Sequence, residues 1–407
     1  MPTLHLVEHQ ESEPVELTPA QRDQISAALP RAVLLPEPGS ENTYVINPKN
    51  YVGVIRAGDY TIEIQPKLDI SRVLFLVAYA LNPRYWRDHI VEFEDAPTLH
   101  EAIARPFAGF AERATRRGPL HGYQSIDDSL PGVRGRIRFA DQLRRHQRVT
   151  TPIEVTYDEF TPDIEENRLL LAATNKLLQL RFLAEPTKQL LRRAAGRYAD
   201  VTTVRYDRRH IPNPQITRLN GHYERPLALA RLILGDETIE LSGQAVTSTG
   251  LLFDMAEVFE TFVHVALREA LGLSDKNFPK NAKGHGLYLD DNQRIRLRPD
   301  LSWWDRGRCV MVGDVKYKKT IDGEGKEPDL YQMLAYTTAT QVDTGFLVYA
   351  AGESDPLTHT VSLAGKQLAV ETLTLSDEPE AILAEIGALA ERISDARYRN
   401  EPFLSAA

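Results

Sequence analysis

The sequence predicts an α/β chain, α+β overall. A C-terminal mixed sheet flanked by helices follows a strand-rich N-terminal module and a helical middle region. Three observations carry this prediction. Short apolar runs bounded by turn residues crowd the N-terminal part, and leucine-rich helical stretches fill the middle. From residue 251 onward the order reads helix, strand, strand, helix, strand. The expected divisions are 1–150, 151–245 and 246–407.

Residues 4–7, 32–35, 51–56 and 60–64 read as strands, with Ala57-Gly58-Asp59 as a tight turn between the last two. Thr18-Pro19-Ala20 opens a helix, because threonine caps the free N–H groups and proline's fixed φ suits the first position. Helices follow at about 71–81 and 99–117. Glu63 and Lys67 look like a charged catalytic pair, but four residues of strand separate them by roughly 13 Å, so they read as structural. In the middle, Leu169, Leu170, Leu171, Leu177 and Leu178 mark one helix. Leu190 and Leu191 mark a second, and Leu227, Leu229, Leu232 and Leu234 a third.

The C-terminal part carries the chemistry. One helix is expected over 251–271, with Asp254, Glu257, Thr261, His264 and Arg268 as its polar stripe. Glu260 falls instead in a stripe with Ala256, Val263 and Leu267. It is either a third carboxylate of a site or a tolerated acid at the stripe's edge. Strands are expected at 296–300 and 310–316, joined by a turn at Asp305-Arg306-Gly307. Residues i and i+2 of a strand share a face, so Asp314 and Lys316 project together while Val315 points inward. Pairing of the two strands brings Asp300 to the same spot. Two carboxylates can hold a hard divalent cation, and a neighbouring lysine can activate water or neutralise a phosphate. That is the pattern of a metal-dependent phosphodiesterase. Pro328-Asp329-Leu330 then opens a helix in which Gln332 and Tyr336 share a face, and 345–350 forms a further strand.

Glu260, Pro299-Asp300, Asp314-Val315-Lys316 and Gln332-Met333-Leu334-Ala335-Tyr336 resemble, in order and spacing, the PD-(D/E)xK nuclease core with the Q-x-x-x-Y element of its RecB-like branch. The resemblance implies Mg²⁺, with Mn²⁺ as the alternative, held by Asp300, Asp314, the Val315 carbonyl and Glu260. Lys316 would activate water, and Gln332 and Tyr336 would support the site or the DNA strand. Further upstream, Tyr51-Val52-Gly53-Val54-Ile55, residues 62–68, Val133-Arg134-Gly135-Arg136-Ile137 and residues 157–163 leading to Asn167-Arg168 resemble the McrC family. Its members are the nuclease subunits of McrBC systems that restrict 5-methylcytosine DNA. This second resemblance spans roughly 45–350. It implies cleavage of double-stranded DNA and docking on an AAA+ GTPase ring of the McrB type, whose GTP hydrolysis the nuclease subunit stimulates. It also implies an N-terminal module that docks this partner.

Composition fits this reading. The 407 residues suffice for two or three domains, and a net charge of −9 argues against a surface that coats DNA. No run of 18 or more apolar residues and no signal-peptide start are seen, so a cytoplasmic, non-membrane protein is expected. The single cysteine, Cys309, excludes a disulfide framework and a Cys-ligated iron–sulfur cluster. No G-x-x-x-x-G-K-[S/T] loop occurs, so no nucleotide is expected on this chain and any translocation falls to a separate partner.

Arg134, Arg136, Arg138, Arg144, Arg145 and Arg148 form one basic cluster, and Arg192, Arg193, Arg197, Arg205, Arg208 and Arg209 a second. Each is open to phosphate contact, partner docking or a solvated face. Two alternatives stand beside the restriction subunit: a stand-alone RecB-like repair nuclease, and a non-catalytic assembly factor for the GTPase ring.

Overall fold

A computed structural model describes residues 2–81, 83, 98–146, 151–180, 183–207, 210–235, 250–318, 324–350 and 356–400. By internal contacts the chain divides into two compact units. One comprises Met1–Glu94, Ile239–Ser248 and Leu252–Ala407, the other Asp95–Thr238 and Thr249–Leu251. The expected segments run consecutively, whereas these units interleave along the chain. Tertiary packing, not chain order, groups the N-terminal strands with the C-terminal sheet.

The first unit opens with β1 (Thr3–Val7), β2 (Val15–Glu16), α1 (Pro19–Ala28), β3 (Val33–Pro36), β4 (Thr43–Asn47), β5 (Tyr51–Ala57), β6 (Tyr60–Gln65) and α2 (Ile70–Leu81). Thr18 caps α1 as expected: its hydroxyl accepts the Gln21 N–H, and the Gln21 side chain accepts the Thr18 N–H at 2.9 Å. The β5–β6 hairpin pairs Ala57 with Tyr60 around Gly58, whose φ of +58° suits glycine. β1 runs parallel to β6, and β2-β4-β3 form a separate small sheet.

The second unit contains α3 (Leu99–Ala114), β7 (Gly122–Leu130), β8 (Arg136–Ile137), α4 (Phe139–His146), β9 (Ile153–Thr161), α5 (Glu165–Leu178), α6 (Glu185–Gly196) and α7 (Glu224–Gly235). Its buried core includes Phe107, Leu169, Leu170, Leu177, Leu191 and Ile233. β7 and β9 pair over nine residues, with β8 on the other side of β9. The upstream motifs singled out in the sequence have structural roles here. Gly135 has φ +70°, and a Cβ there would lie 2.4 Å from the Thr156 carbonyl. Asp163 forms a two-pronged pair with Arg168 at 2.7 and 2.8 Å. The Asn167 amide donates to the Leu120 and Pro162 carbonyls.

Returning to the first unit, which resumes at Leu252, β10 (Gly250–Asp254) contributes Leu252 to the core of the N-terminal sheet. Next come α8 (Met255–Ala270), β11 (Leu301–Asp305), β12 (Arg308–Lys316), α9 (Glu327–Thr340), β13 (Thr344–Ala350), β14 (Leu357–Val361), β15 (Lys366–Leu373) and α10 (Pro379–Asn400). The sheet order is β11-β12-β13-β15-β14. β12, β13 and β15 run parallel, with an antiparallel strand at each edge. Parallel neighbours need a crossover, and α9 supplies it between β12 and β13.

Two expectations are corrected. The helix starts at Met255, not 251. The preceding residues form a strand, and Asp254 leaves the polar stripe to accept the Ala256 N–H as helix cap. The first hairpin strand starts at Leu301, so Asp300 precedes it instead of ending it. Among the described residues, no helix is long and apolar enough to cross a membrane.

Gly345 of β13 lies under α9, where an added Cβ would come within 2.5 Å of Met333 Sδ and 2.6 Å of Thr337 Cγ2. Gly345→Ala is therefore expected to overpack this contact and cost about 1–3 kcal/mol, read as a lowered urea midpoint. An unchanged midpoint would contradict the packing described.

Candidate active site

The hairpin register builds the site. Leu301 pairs with Gly313, and the turn passes through Arg306 and Gly307, both at positive φ. Asp300, one residue before that pair, lies beside Asp314. The Val315 N–H donates to Asp300 Oδ2 at 2.9 Å. Asp314 is buried, and the Lys316 ammonium forms an ion pair with its Oδ2. The three residues singled out from the sequence thus converge at one end of the hairpin.

Their electrostatics follow from this crowding. Burial, then the Asp314 and Glu260 charges, push the Asp300 carboxyl up to about 8, against the opposing Val315 N–H. Burial disfavours the Lys316 charge, but Asp314, Asp300 and Asp329 outweigh it and hold the lysine above its ordinary value. Burial first, and Asp314 next, push the Tyr336 hydroxyl up to about 12.

The helices deliver the remaining residues. Glu260 of α8 is near enough for its charge to act on Asp300, and it pairs with Lys280 Nζ at 3.4 Å. On α9, Gln332 Nε2 donates to the Tyr336 hydroxyl at 2.7 Å, and that hydroxyl donates to the Arg298 carbonyl at 3.3 Å. The Gln332–Tyr336 pair thereby fixes the chain that leads into Asp300. His264, expected in the polar stripe, is buried. Its Nε2 lies 3.1 Å from the Phe278 carbonyl, and burial lowers its pKa to about 4.

Sequence reasoning missed Asp329. This buried carboxylate in the first turn of α9 accepts the Tyr349 hydroxyl at 2.6 Å and pairs with Lys318 Nζ at 2.6 Å. An acid in a first helical turn reads as a partner of the helix dipole, and nothing local marks it as turned inward. Residues 319–323, ahead of α9, lie outside the described residues. Glu324 accepts from His359 Nε2 through its carbonyl at 2.7 Å.

The basic clusters are largely neutralised from within. Arg138 pairs with Asp127, Asp141 and the buried Glu154; Arg144 pairs with Asp141 and Arg145 with Glu154. Arg134 lies over the Tyr157 ring, its guanidinium carbon 3.9 Å from the centroid, and Arg136 is exposed on β8. Arg192 pairs with Glu185 and Arg197 with Glu112, while Arg193 and Arg205 are exposed. Arg148, Arg208 and Arg209 lie outside the described residues.

The donor set suits a hard cation. Asp314 Oδ2 is buried with no well-aligned hydrogen-bond donor, and Asp300 is a carboxyl whose charge lacks compensation. Among the described residues, no three His, Cys, Asp or Glu side chains converge on one metal position. Asp300, Asp314 and the Val315 carbonyl would therefore need water ligands to complete the shell, as Mg²⁺ commonly has. Glu260 is engaged by Lys280 and would have to leave that pair to join them.

Fold and site together define a mixed α/β protein that presents two carboxylates and a lysine from one hairpin. By sequence, the chain belongs to the family of McrBC 5-methylcytosine restriction system components, whose model matches residues 46–350. No curated protein matches the chain. The fold resembles a chain of the refined half-complex from the tetradecameric assembly of Thermococcus gammatolerans McrB AAA+ hexamers with bound McrC. That similarity has a TM-score of 0.56 at 17% identity, covering 96% of this chain and 100% of the other. A chain of the cryo-EM structure of the Thermococcus gammatolerans McrBC complex matches at TM-score 0.40 and 19% identity, over 66% of this chain and 88% of the other.

The raised Asp300 pKa fixes the sign of a pH effect. Between its unfolded value, about 3.9, and about 8, the folded metal-free protein holds a proton that the unfolded chain has lost. Stability from this group is complete at low pH and falls as pH rises towards 8. Asp300→Asn should flatten the fall, measured as melting temperature in EDTA from pH 5.5 to 8. A fall of equal size in the variant would contradict the assignment.

Proposed function

We propose that this chain is the nuclease subunit of a McrBC-type restriction system, a Mg²⁺-dependent DNA endonuclease of the PD-(D/E)xK type that cuts 5-methylcytosine-containing DNA together with an AAA+ GTPase ring. The observation that carries the reading is the convergence of Asp300, Asp314 and Lys316 at one hairpin end. A metal held by Asp300, Asp314 and the Val315 carbonyl, with Glu260 in support, would supply Lewis-acid polarisation of the scissile phosphate and its attacking water.

The chain's own residues do the rest. Lys316 keeps its proton under the field of Asp314, Asp300 and Asp329, so it works as a cation. It can orient the incoming water and stabilise the charge that develops on hydroxide and phosphate. Gln332 and Tyr336 hold the backbone at Arg298 and so fix the approach to Asp300. Tyr336 keeps its proton too and acts as a hydrogen-bond donor, not as a base.

Family membership supports the substrate, modified double-stranded DNA. A chain of similar fold sits in an assembly of McrB AAA+ hexamers with bound McrC, which supports a partner ring of that kind. On this reading the ring recognises the modified site, and this chain cuts and stimulates GTP hydrolysis.

Plasmid cleavage with Mg²⁺ tests the reading, on methylated and unmethylated DNA, with and without ring and GTP. Asp314→Ala and Lys316→Ala should each lower cleavage by about 100-fold or more while leaving GTPase stimulation at its wild-type level. Equal loss of cleavage and stimulation in a folded variant would overturn the separation of roles. Methylation-independent cutting without the ring would instead make the chain a stand-alone nuclease.

A further inference from the structure

A third set of arginines, on the approach to Asp300, differs from the two clusters above. A short hairpin pairs Tyr288 with Arg296, and the Leu289 N–H donates to the Ile295 carbonyl at 2.9 Å. Its turn is held by Asp290, whose Oδ1 accepts the Arg294 and Ile295 N–H groups. The outgoing segment, 294–300, is irregular apart from the bridge at Arg296. Leu297 packs, partly buried, against the core beneath α9 and Pro299 is buried, whereas Arg294, Ile295, Arg296 and Arg298 are exposed. Among the described residues, no ion pair engages the three arginines, in contrast to Arg138, Arg144 and Arg145. Asp291 is the exposed acid near the turn, closest in sequence to Arg294 and farther from Arg296 and Arg298.

The segment leads to the chemistry. The Arg298 carbonyl is fixed by Tyr336, and Asp300 follows two residues on. Arg294 to Arg298 spans at most roughly 14 Å of chain, the length of about four phosphates of one DNA strand measured along the duplex axis. Burial of Leu297 and Pro299 holds the backbone, so the arginines lose less freedom on binding than they would on a mobile loop.

We propose that Arg296 and Arg298, with Arg294 behind them, form a phosphate-binding rail that leads a DNA strand into the Asp300–Asp314 site. The proposal rests on the nuclease reading and deepens it. A segment with three unneutralised arginines has charge complementarity to a polyanion, and its end at a carboxylate pair capable of holding a metal makes the DNA backbone the fitting occupant.

The test is equilibrium binding of a fluorescently labelled DNA duplex to the full chain, with Ca²⁺ replacing Mg²⁺, across a salt series. No cleavage is needed, so failure of the rail separates from failure of the nuclease reading, which Asp314→Ala cleavage judges alone. Replacing Arg294, Arg296 and Arg298 together by glutamine should weaken binding about 10-fold or more at moderate salt and reduce the salt slope by about 3. The single change Arg296→Gln should reduce it by about 1. The corresponding triple lysine variant should restore the slope, because phosphate contact requires charge. An unchanged slope in the glutamine variants, absent binding by the wild type, or loss of ring binding with DNA binding intact would each overturn the rail.

Discussion

The pairing register of β11 with β12 imposes the constraint on which the C-terminal half depends. It sets two carboxylates side by side where little water reaches them. Like charges in such a place repel and are poorly solvated. The fold responds with the Val315 N–H, the Lys316 ammonium and a proton retained on Asp300. Such an arrangement is costly to keep in a protein that binds nothing there. The rest of the sheet is organised to maintain it: β12 is buried between β11 and β13, and α9 brings Tyr336 and Asp329 to bear on the same charges.

The N-terminal strands form part of that support. Met255 at the start of α8 donates its N–H to the Asn50 carbonyl at 2.9 Å, and Arg31 pairs with the capping Asp254. Along the same helix, Phe262 packs edge-on against Phe75 and Tyr79, and the Tyr79 hydroxyl donates to Glu269 at 2.5 Å. These contacts fix α8 and with it Glu260. At the far end of β1, the buried Glu8 carboxylate lies beside the hydroxyl of Tyr317, the residue after Lys316. Burial raises the pKa of both groups. A reader of the sequence places the first eighty residues in a separate module, yet they brace the site from two directions.

What was legible in the sequence was local. Asp314 and Lys316 follow from strand parity, the Thr18-Pro19 start of α1 from capping chemistry, and the family motifs from order and spacing. What escaped depends on distant partners. Leu251-Leu252-Phe253 is an apolar run that fits a helix or a strand equally, and its strand identity comes from the N-terminal sheet. The β7–β9 ladder lacked a signal because β7 alternates polar residues such as Asp127 and Ser129 with half-buried ones and buries none fully. The arginines of 134–145 read as a free basic face because nothing nearby in sequence announces that the buried Glu154 neutralises Arg138 and Arg145.

The proposed cation site at Asp300 and Asp314 would be held in waiting by a proton on Asp300. Calorimetric titration of Mn²⁺ into the protein near pH 6.5, in two buffers of different ionisation enthalpy, measures it most directly. Because the ligands must be deprotonated, the account predicts release of about one proton per bound ion, and loss of that release in Asp300→Asn. Binding without proton release, or release unchanged in the variant, would contradict it.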